Sequence, residues 1–253
     1  MSLLLNGPPA LDCHAHIAAD VTPAQVRALG GAHVFAVTRT LAEADQVRHR
    51  RDAHLTWGLG VHPGVAAARV AWDPKKFAAL LPNFALVGEV GLDRRAGDLP
   101  GQQAILREIL RQCSGQQVLL SIHSTGVTAA VTDLLLEQPH PGAILHWFLG
   151  TNDQIDAATK AGAYFSVNTG MSRSALAALP EDRVLPETDY PARQSKAKRP
   201  ADVAAVERSI SEVWGATIEE VRIRLWGNLR ALASAARVLD RLPDALGDLL
   251  LEF

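Results

Sequence analysis

The hexapeptide Leu11-Asp12-Cys13-His14-Ala15-His16 is a short extended apolar run that ends in two imidazoles separated by one residue. Side chains alternate along a strand, so His14 and His16 are expected on one face. By the same alternation Cys13 is expected to turn away from them, toward a helix layer, as a small packing residue. Two neutral imidazoles converging from one strand end are good ligands for a divalent metal, which lowers the pKa of bound water toward neutrality. Hydrolysis is the first chemistry the stretch suggests.

Apolar runs of the same kind recur at 32–38, 55–61, 84–90, 117–123, 143–146, 163–168 and 184–188, making eight candidate strands in all. Helix-like segments separate them at 41–53, 74–81, 102–113, 127–137, 153–161 and 172–179. Strand and helix therefore alternate, and eight such units predict an α/β fold, the (β/α)8 TIM barrel. Asp73 before Pro74 reads as a helix N-cap, Asn152 or Asp153 as the next helix start, and Gly30 and Gly162 as helix stops. Beyond a polar, basic loop at 193–200, extra C-terminal helices are expected at 201–214, 217–226 and 230–239. A barrel of this length forms one domain, so 1–253 is read as a single metal-dependent hydrolase domain.

Composition excludes several classes. The chain is 48% apolar and 21% charged, as expected of a globular protein, and its net charge of -2 announces no global field for polyanions. Cys13 and Cys113 are far apart and form neither a disulfide framework nor a metal pair, which fits a reducing, cytoplasmic compartment. The stretch 1–10 lacks a basic n-region and is broken by Asn6, Gly7, Pro8 and Pro9, so no signal peptide is expected there. No apolar run is long enough to cross a membrane. Glycine-rich phosphate loops, a dinucleotide fingerprint and a Gly-x-Ser-x-Gly elbow are missing from the sequence.

In such a barrel the active site lies at the C-terminal ends of the strands. There the first run supplies His14 and His16, the fourth Glu89, the fifth His123, the sixth His146 and the eighth Asp189. A single histidine at a strand end is more often a hydrogen-bonded structural residue, but a carboxylate within apolar sequence needs a partner such as a cation. Six donors at one mouth suffice for two cations, where one catalytic zinc needs about three protein ligands. In this scheme His14, His16 and Asp189 hold one cation, His123 and His146 the other, and Glu89 is shared, while Asp189 is also placed to take a proton from the attacking water.

The motifs Asp12-Cys13-His14-Ala15-His16, Gly60-Val61-His62-Pro63, Gly88-Glu89-Val90-Gly91-Leu92-Asp93, Ile122-His123, Leu145-His146-Trp147-Phe148 and Glu187-Thr188-Asp189-Tyr190-Pro191, in that order, resemble those of the TatD family. The resemblance implies a TIM barrel of the amidohydrolase type, divalent metals and DNase activity, often a 3′-to-5′ exonuclease on single strands. Carried over position by position, it makes His14, His16, Glu89, His123, His146 and Asp189 the metal ligands. The chain departs from the family pattern where Arg94-Arg95-Ala96-Gly97 replaces an aromatic, longer loop, and where Leu149-Gly150 replaces Ser-Gly.

Basic residues gather on loops at the proposed mouth: Arg94 and Arg95 after the fourth strand, and Arg193, Lys196, Lys198 and Arg199 after the eighth. A DNA backbone, single-stranded by the resemblance, is a fitting partner. Trp147 or Phe148 is placed to stack a base, the other to pack in the core. His62 is a candidate phosphate contact or a turn residue, and Glu187 a candidate support for the ligands or a substrate contact. His33, His49, His54 and His140 receive no function. The cations are zinc, magnesium or manganese by donor chemistry. The alternative activity is a small-molecule amidohydrolase cleaving a cyclic amide or ester on the same barrel, and a third reading is a binding protein without turnover.

Overall fold

The computed structural model describes residues 7–253, so the first part of the stretch weighed against a signal peptide, 1–6, lies outside the described residues. The strands are β1 Leu11–Ala15, β2 His33–Ala36, β3 Leu55–Leu59, β4 Leu86–Gly91, β5 Leu119–His123, β6 Ala143–Leu145, β7 Tyr164–Val167 and β8 Val184–Pro186. They pair in parallel in sequence order, which is the expected TIM barrel. The seam between β8 and β1 closes beyond the β8 ladder: Asp189 N donates to His14 O at 2.8 Å and His16 N to Tyr190 O at 2.8 Å.

Among the described residues eleven α-helices accompany the strands: α1 Pro23–Arg27, α2 Leu41–Val47, α3 Ala66–Val70, α4 Pro74–Leu80, α5 Leu99–Cys113, α6 Thr128–Glu137, α7 Asn152–Lys160, α8 Arg173–Ala177, α9 Ala204–Trp214, α10 Ile218–Ala235 and α11 Asp244–Leu250. Their starts follow the local chemistry. The Asp73 side chain accepts from the amides of Lys75 and Lys76, and Thr151 forms a capping box with Gln154. In α5 the buried positions Gln102, Leu106, Ile109, Leu110 and Cys113 recur at helical spacing. The two C-terminal helices expected at 217–226 and 230–239 are one continuous helix, α10, because Gly227 and Asn228 sit inside it and Asn228 Nδ2 reaches the carbonyls of Glu181 and Val184 at 2.8 Å. α1, α3 and α11 were not apparent as periodic segments, and two of them are only five residues long.

Two apolar cores divide the barrel. One packs Val34, Ala36, Val87, Leu120, Ile122 and Val167 on the outer strand faces against helices, for example Phe77 of α4 and Ile109 of α5. The other contains Leu11, Phe35, Leu86, Leu119, Ile144 and Leu185, sealed by Trp226, Leu229, Leu232 and Leu246 from α10 and α11. Cys13 belongs to this second, interior group, which corrects the expectation that it faces the helices.

A local irregularity explains the correction. The β1 register with β2 shifts between Asp12 and Ala15, and the β4 register with β5 shifts between Val87 and Val90. An extra residue in a strand breaks the alternation and re-aims side chains. Cys13 and His14 thus both point inward on β1. On β4, Gly88 and Glu89 do the same, and Glu89 lies within the strand, short of its end at Gly91. A Cβ on Gly88 would stand 2.8 Å from Ser121 Cβ, and one on Gly91, at φ +135°, would stand 2.1 Å from His123 O. Only glycine permits that close approach of β4 to β5.

Candidate metal centre

Glu89 is the hub of the mouth. It is 1% exposed, yet its two oxygens face five imidazoles. Oε1 lies 2.6 Å from His123 Nδ1 and 3.1 Å from His146 Nε2. Oε2 lies 3.1 Å from His16 Nε2, 3.2 Å from His62 Nε2 and 3.5 Å from His14 Nε2. Asp189 approaches from the β8 side, with Oδ1 3.7 Å from His14 Nε2 and 3.9 Å from His16 Nε2. All six residues expected at the strand ends therefore meet in one place.

Surrounding groups set the imidazole orientations. Ser121 Oγ stands 2.7 Å from His14 Nδ1, which leaves Nε2 aimed at the two carboxylates. Asp93 Oδ2 is 3.4 Å from His123 Nε2. Glu187, fully buried, accepts from Ser166 Oγ and from Asn168 Nδ2 at 2.8 Å, and its Oε1 is 3.7 Å from His146 Nδ1. Glu187 is thus turned to the ring of His146. Ser121, Asp93, Ser166 and Asn168 were not singled out from the sequence, although Ser121 sits two residues before His123 and so shares its face.

The donor set fits a divalent cation. His14 Nε2, His16 Nδ1, Glu89 Oε2, His123 Nε2 and His146 Nδ1 are buried without a hydrogen-bond partner among the described residues. Buried polar atoms are otherwise almost always satisfied. Three trios bring one donor atom each to within 4.8 Å of one another: His14, His16 and Asp189; His14, Glu89 and His146; His16, His62 and Glu89. The first is the trio expected for one cation. The second trio pairs His146 with His14 where His123 was expected, and the third brings His62 into the cluster, a closer place than a rim or turn contact.

Electrostatics agrees with an arrangement built around charge. Burial, reinforced by His146, pushes the His14 imidazole down to about 3, and burial takes His62 to about 4, so both rings are neutral ligands or donors at pH 7. For Glu89 burial acts upward but is outweighed by His62, His146, His123 and His14, which hold the carboxyl well below its usual range. Burial is likewise overcome at His146, where Glu89 and Glu187 hold the ring well above the ordinary value. Asp189 is driven the other way, up to about 7, mainly by burial. Asp189 and Trp147 both hold a left-handed backbone, at φ 46° and 41°. For a residue as large as Trp that conformation is a real outlier, and such outliers cluster at functional sites.

The rim residues separate. Arg94 is exposed and its Nε donates to Gly126 O at 2.8 Å, tying the loops after β4 and β5 together. Arg193 is exposed on the short turn Arg193–Ser195. Phe148 is 2% exposed and packs edge-on against Phe165, so it is the core residue of the aromatic pair. Trp147 is half-buried, and its indole Nε1 has no partner among the described residues.

Comparison with known proteins agrees with this geometry. The family model described as TatD related DNase matches residues 11–234. The chain is 26% identical over 246 residues to a mouse protein named putative deoxyribonuclease TATDN3, covering 84% of each. It is 34% identical over 173 residues to a protein of Edwardsiella piscicida named 3′-5′ ssDNA/RNA exonuclease TatD, covering 60% of this chain and 65% of that one. The crystal structure of the TatD homologue YjjV from Escherichia coli superposes with a TM-score of 0.73 at 22% identity, covering 87% of this chain and 97% of the other.

Proposed function

The chain belongs to the TatD-related DNase family, and from that premise we propose that it is a two-cation phosphodiesterase that trims single-stranded DNA from its 3′ end. The observation that carries the reading is the set of buried, unpartnered imidazole and carboxylate atoms around Glu89. The exonuclease name of the bacterial relative supports the polarity and the single-stranded substrate.

His14, His16 and Asp189 would hold one cation, His123 and His146 the other, with Glu89 between them. Zinc, magnesium or manganese there supplies Lewis acidity toward a phosphoryl oxygen and makes water a better nucleophile at neutral pH. Glu89 would be shared between the two donor sets, since its two oxygens face different imidazoles. Asp189 Oδ1 approaches the cluster from the β8 side, where the carboxylate is placed to accept a proton from an attacking water. Glu187 orients His146 and fixes its tautomer.

Substrate contacts come from the rim. His62 Nδ1 accepts from Gly64 N at 2.9 Å, so the neutral ring carries its proton on Nε2, facing the cluster, where it can donate to a phosphate. Arg94 and Arg193 offer exposed charge to the backbone, and the half-buried Trp147 is the member of the aromatic pair placed to stack a base. Cys13 and Cys113 are free and buried, which supports a cytoplasmic setting. Among the described residues no helix is long and apolar enough to cross a membrane.

Digestion of end-labelled single-stranded DNA tests the reading. Cation-dependent shortening of a 5′-labelled strand, one nucleotide at a time, is expected, and it should vanish in Glu89→Ala. Cation binding with no digestion, but with hydrolysis of a cyclic amide or ester, would replace it with the amidohydrolase activity.

A further inference from the structure

A cavity of about 530 Å³ lies beside the cluster, lined by Ile17, Val21, Val26, Leu29, Tyr190 and Arg199, with His16 common to cavity and cluster. That volume lies within the roughly 300–1,000 Å³ of small-molecule sites. The short helix α1 contributes Gln25 and Val26 to the cavity wall. His16, whose Nε2 is 3.1 Å from Glu89 Oε2, lines the cavity, and so does Tyr190, the residue after Asp189, so the cavity adjoins the cluster at two points.

The far wall is fixed in place. Asp12, fully buried, accepts from Thr188 N at 2.8 Å, Thr188 Oγ1 at 2.6 Å and Ala201 N at 2.8 Å. One carboxylate thereby ties the segment carrying Arg199 and Pro200 to the ligand-bearing ends of β1 and β8. Arg199 Nη1 donates to Ala28 O at 3.1 Å, the residue that ends α1, and so closes the cavity from the other side. The polar lining residues Thr22 and Gln25 are engaged with each other in a capping box. The rest of the lining is mostly apolar and aromatic, with the Arg199 guanidinium and the exposed carboxylate of Asp20 as its charged groups, a composition that accepts the flat face of a base and reads little of its edge.

We propose that this cavity is the subsite for the base of the 3′-terminal nucleotide, held by apolar and stacking contact without strong sequence preference. The proposal rests on the phosphodiesterase reading, and the experiment separates the two. KM is measured on single strands ending in an ordinary 3′ nucleotide or in an abasic 3′ residue, alongside hydrolysis of bis(4-nitrophenyl) phosphate, which has no base. On the cation-loaded protein, calorimetry compares thymidine 5′-monophosphate with deoxyribose 5-phosphate. The expected result is a penalty of about tenfold or more for the missing base in both KM and affinity. In Val21→Trp, which fills the cavity, the penalty should disappear. Equal KM and equal affinity in the unaltered protein overturn the subsite, as does a full penalty retained in folded Val21→Trp. Failure to hydrolyse bis(4-nitrophenyl) phosphate overturns the phosphodiesterase reading itself.

Discussion

The floor and the mouth of the barrel both bury histidines, but the two sets are satisfied in opposite ways. At the floor His33 Nε2 lies 2.9 Å from Thr56 Oγ1, and His140 receives the amide of Gly142 at 3.1 Å while its other nitrogen faces Cys113 O at 3.2 Å. At the mouth His14, His16, His123 and His146 each retain a buried ring nitrogen without a partner. The floor is closed by Trp226, Leu229 and Leu232 of α10, whereas the mouth is assembled from bulged strands and a left-handed Asp189. Stability is concentrated at one end and unmet bonding capacity at the other, the division a barrel enzyme is expected to show.

The sharpest way to break this contrast is at Glu89. Glu89→Ala should lower cation-dependent hydrolysis by at least about 10³-fold, the upper range for removing one preorganised charged partner. The loss should exceed that of His14→Ala or His16→Ala, because Glu89 faces both halves of the cluster. Residual rates that are equal in all three variants would remove Glu89 from its shared position.

At the floor the same severity should appear as stability. Leu232→Ala, at a fully buried site, should cost about 2–5 kcal/mol in denaturant unfolding while leaving the number of bound cations unchanged. A loss of cations in the folded variant would show that the two ends are not independent.

Much of this division is legible in the sequence, and the misses on the strands share one cause. The eight strands, their parallel order and the convergence of His14, His16, Glu89, His123, His146 and Asp189 follow from apolar runs that end in polar residues. The inward turn of Cys13 and the place of Glu89 inside β4 do not, because alternation assumes an unbroken pleat. The bulges that break it depend on how β1 meets β2 and how β4 meets β5. His62 reads as a phosphate contact or a turn residue, and its ring does face both ways, with Nδ1 accepting from Gly64 N and Nε2 3.2 Å from Glu89 Oε2. The sequence separates helices at 217–226 and 230–239, yet α10 runs through the gap because Val221, Leu225, Leu229 and Leu232 stay buried on one face.

A milder change sharpens the contrast within the mouth. Glu187→Gln keeps the shape of a residue that orients His146, so cation affinity or activity should fall about 10–100-fold, as for other ligand-supporting groups. Competition with a chelating dye reads the affinity directly. No change would mean that the negative charge of Glu187 plays no part in holding His146.

The last expected effect lies at the floor and is read per pH unit. Burial, with His54 adding to it, pushes His33 down to about 3 from 6.5. Below pH 6.5 the unfolded chain therefore takes up a proton that the folded chain refuses. Stability is full above that pH and falls toward pH 3 by up to about 1.4 kcal/mol per unit from this residue. His33→Gln should make the acid limb shallower by that amount in unfolding titrations across this window. An unchanged slope would mean that the folded protein protonates His33.

The most direct test of the mouth is a count of divalent cations per chain, by mass spectrometry under native conditions, in the unaltered protein and in Glu89→Ala. The account predicts two cations bound to the unaltered chain and fewer than two to folded Glu89→Ala. A chain that binds no divalent cation, or binds the same number without Glu89, would contradict it.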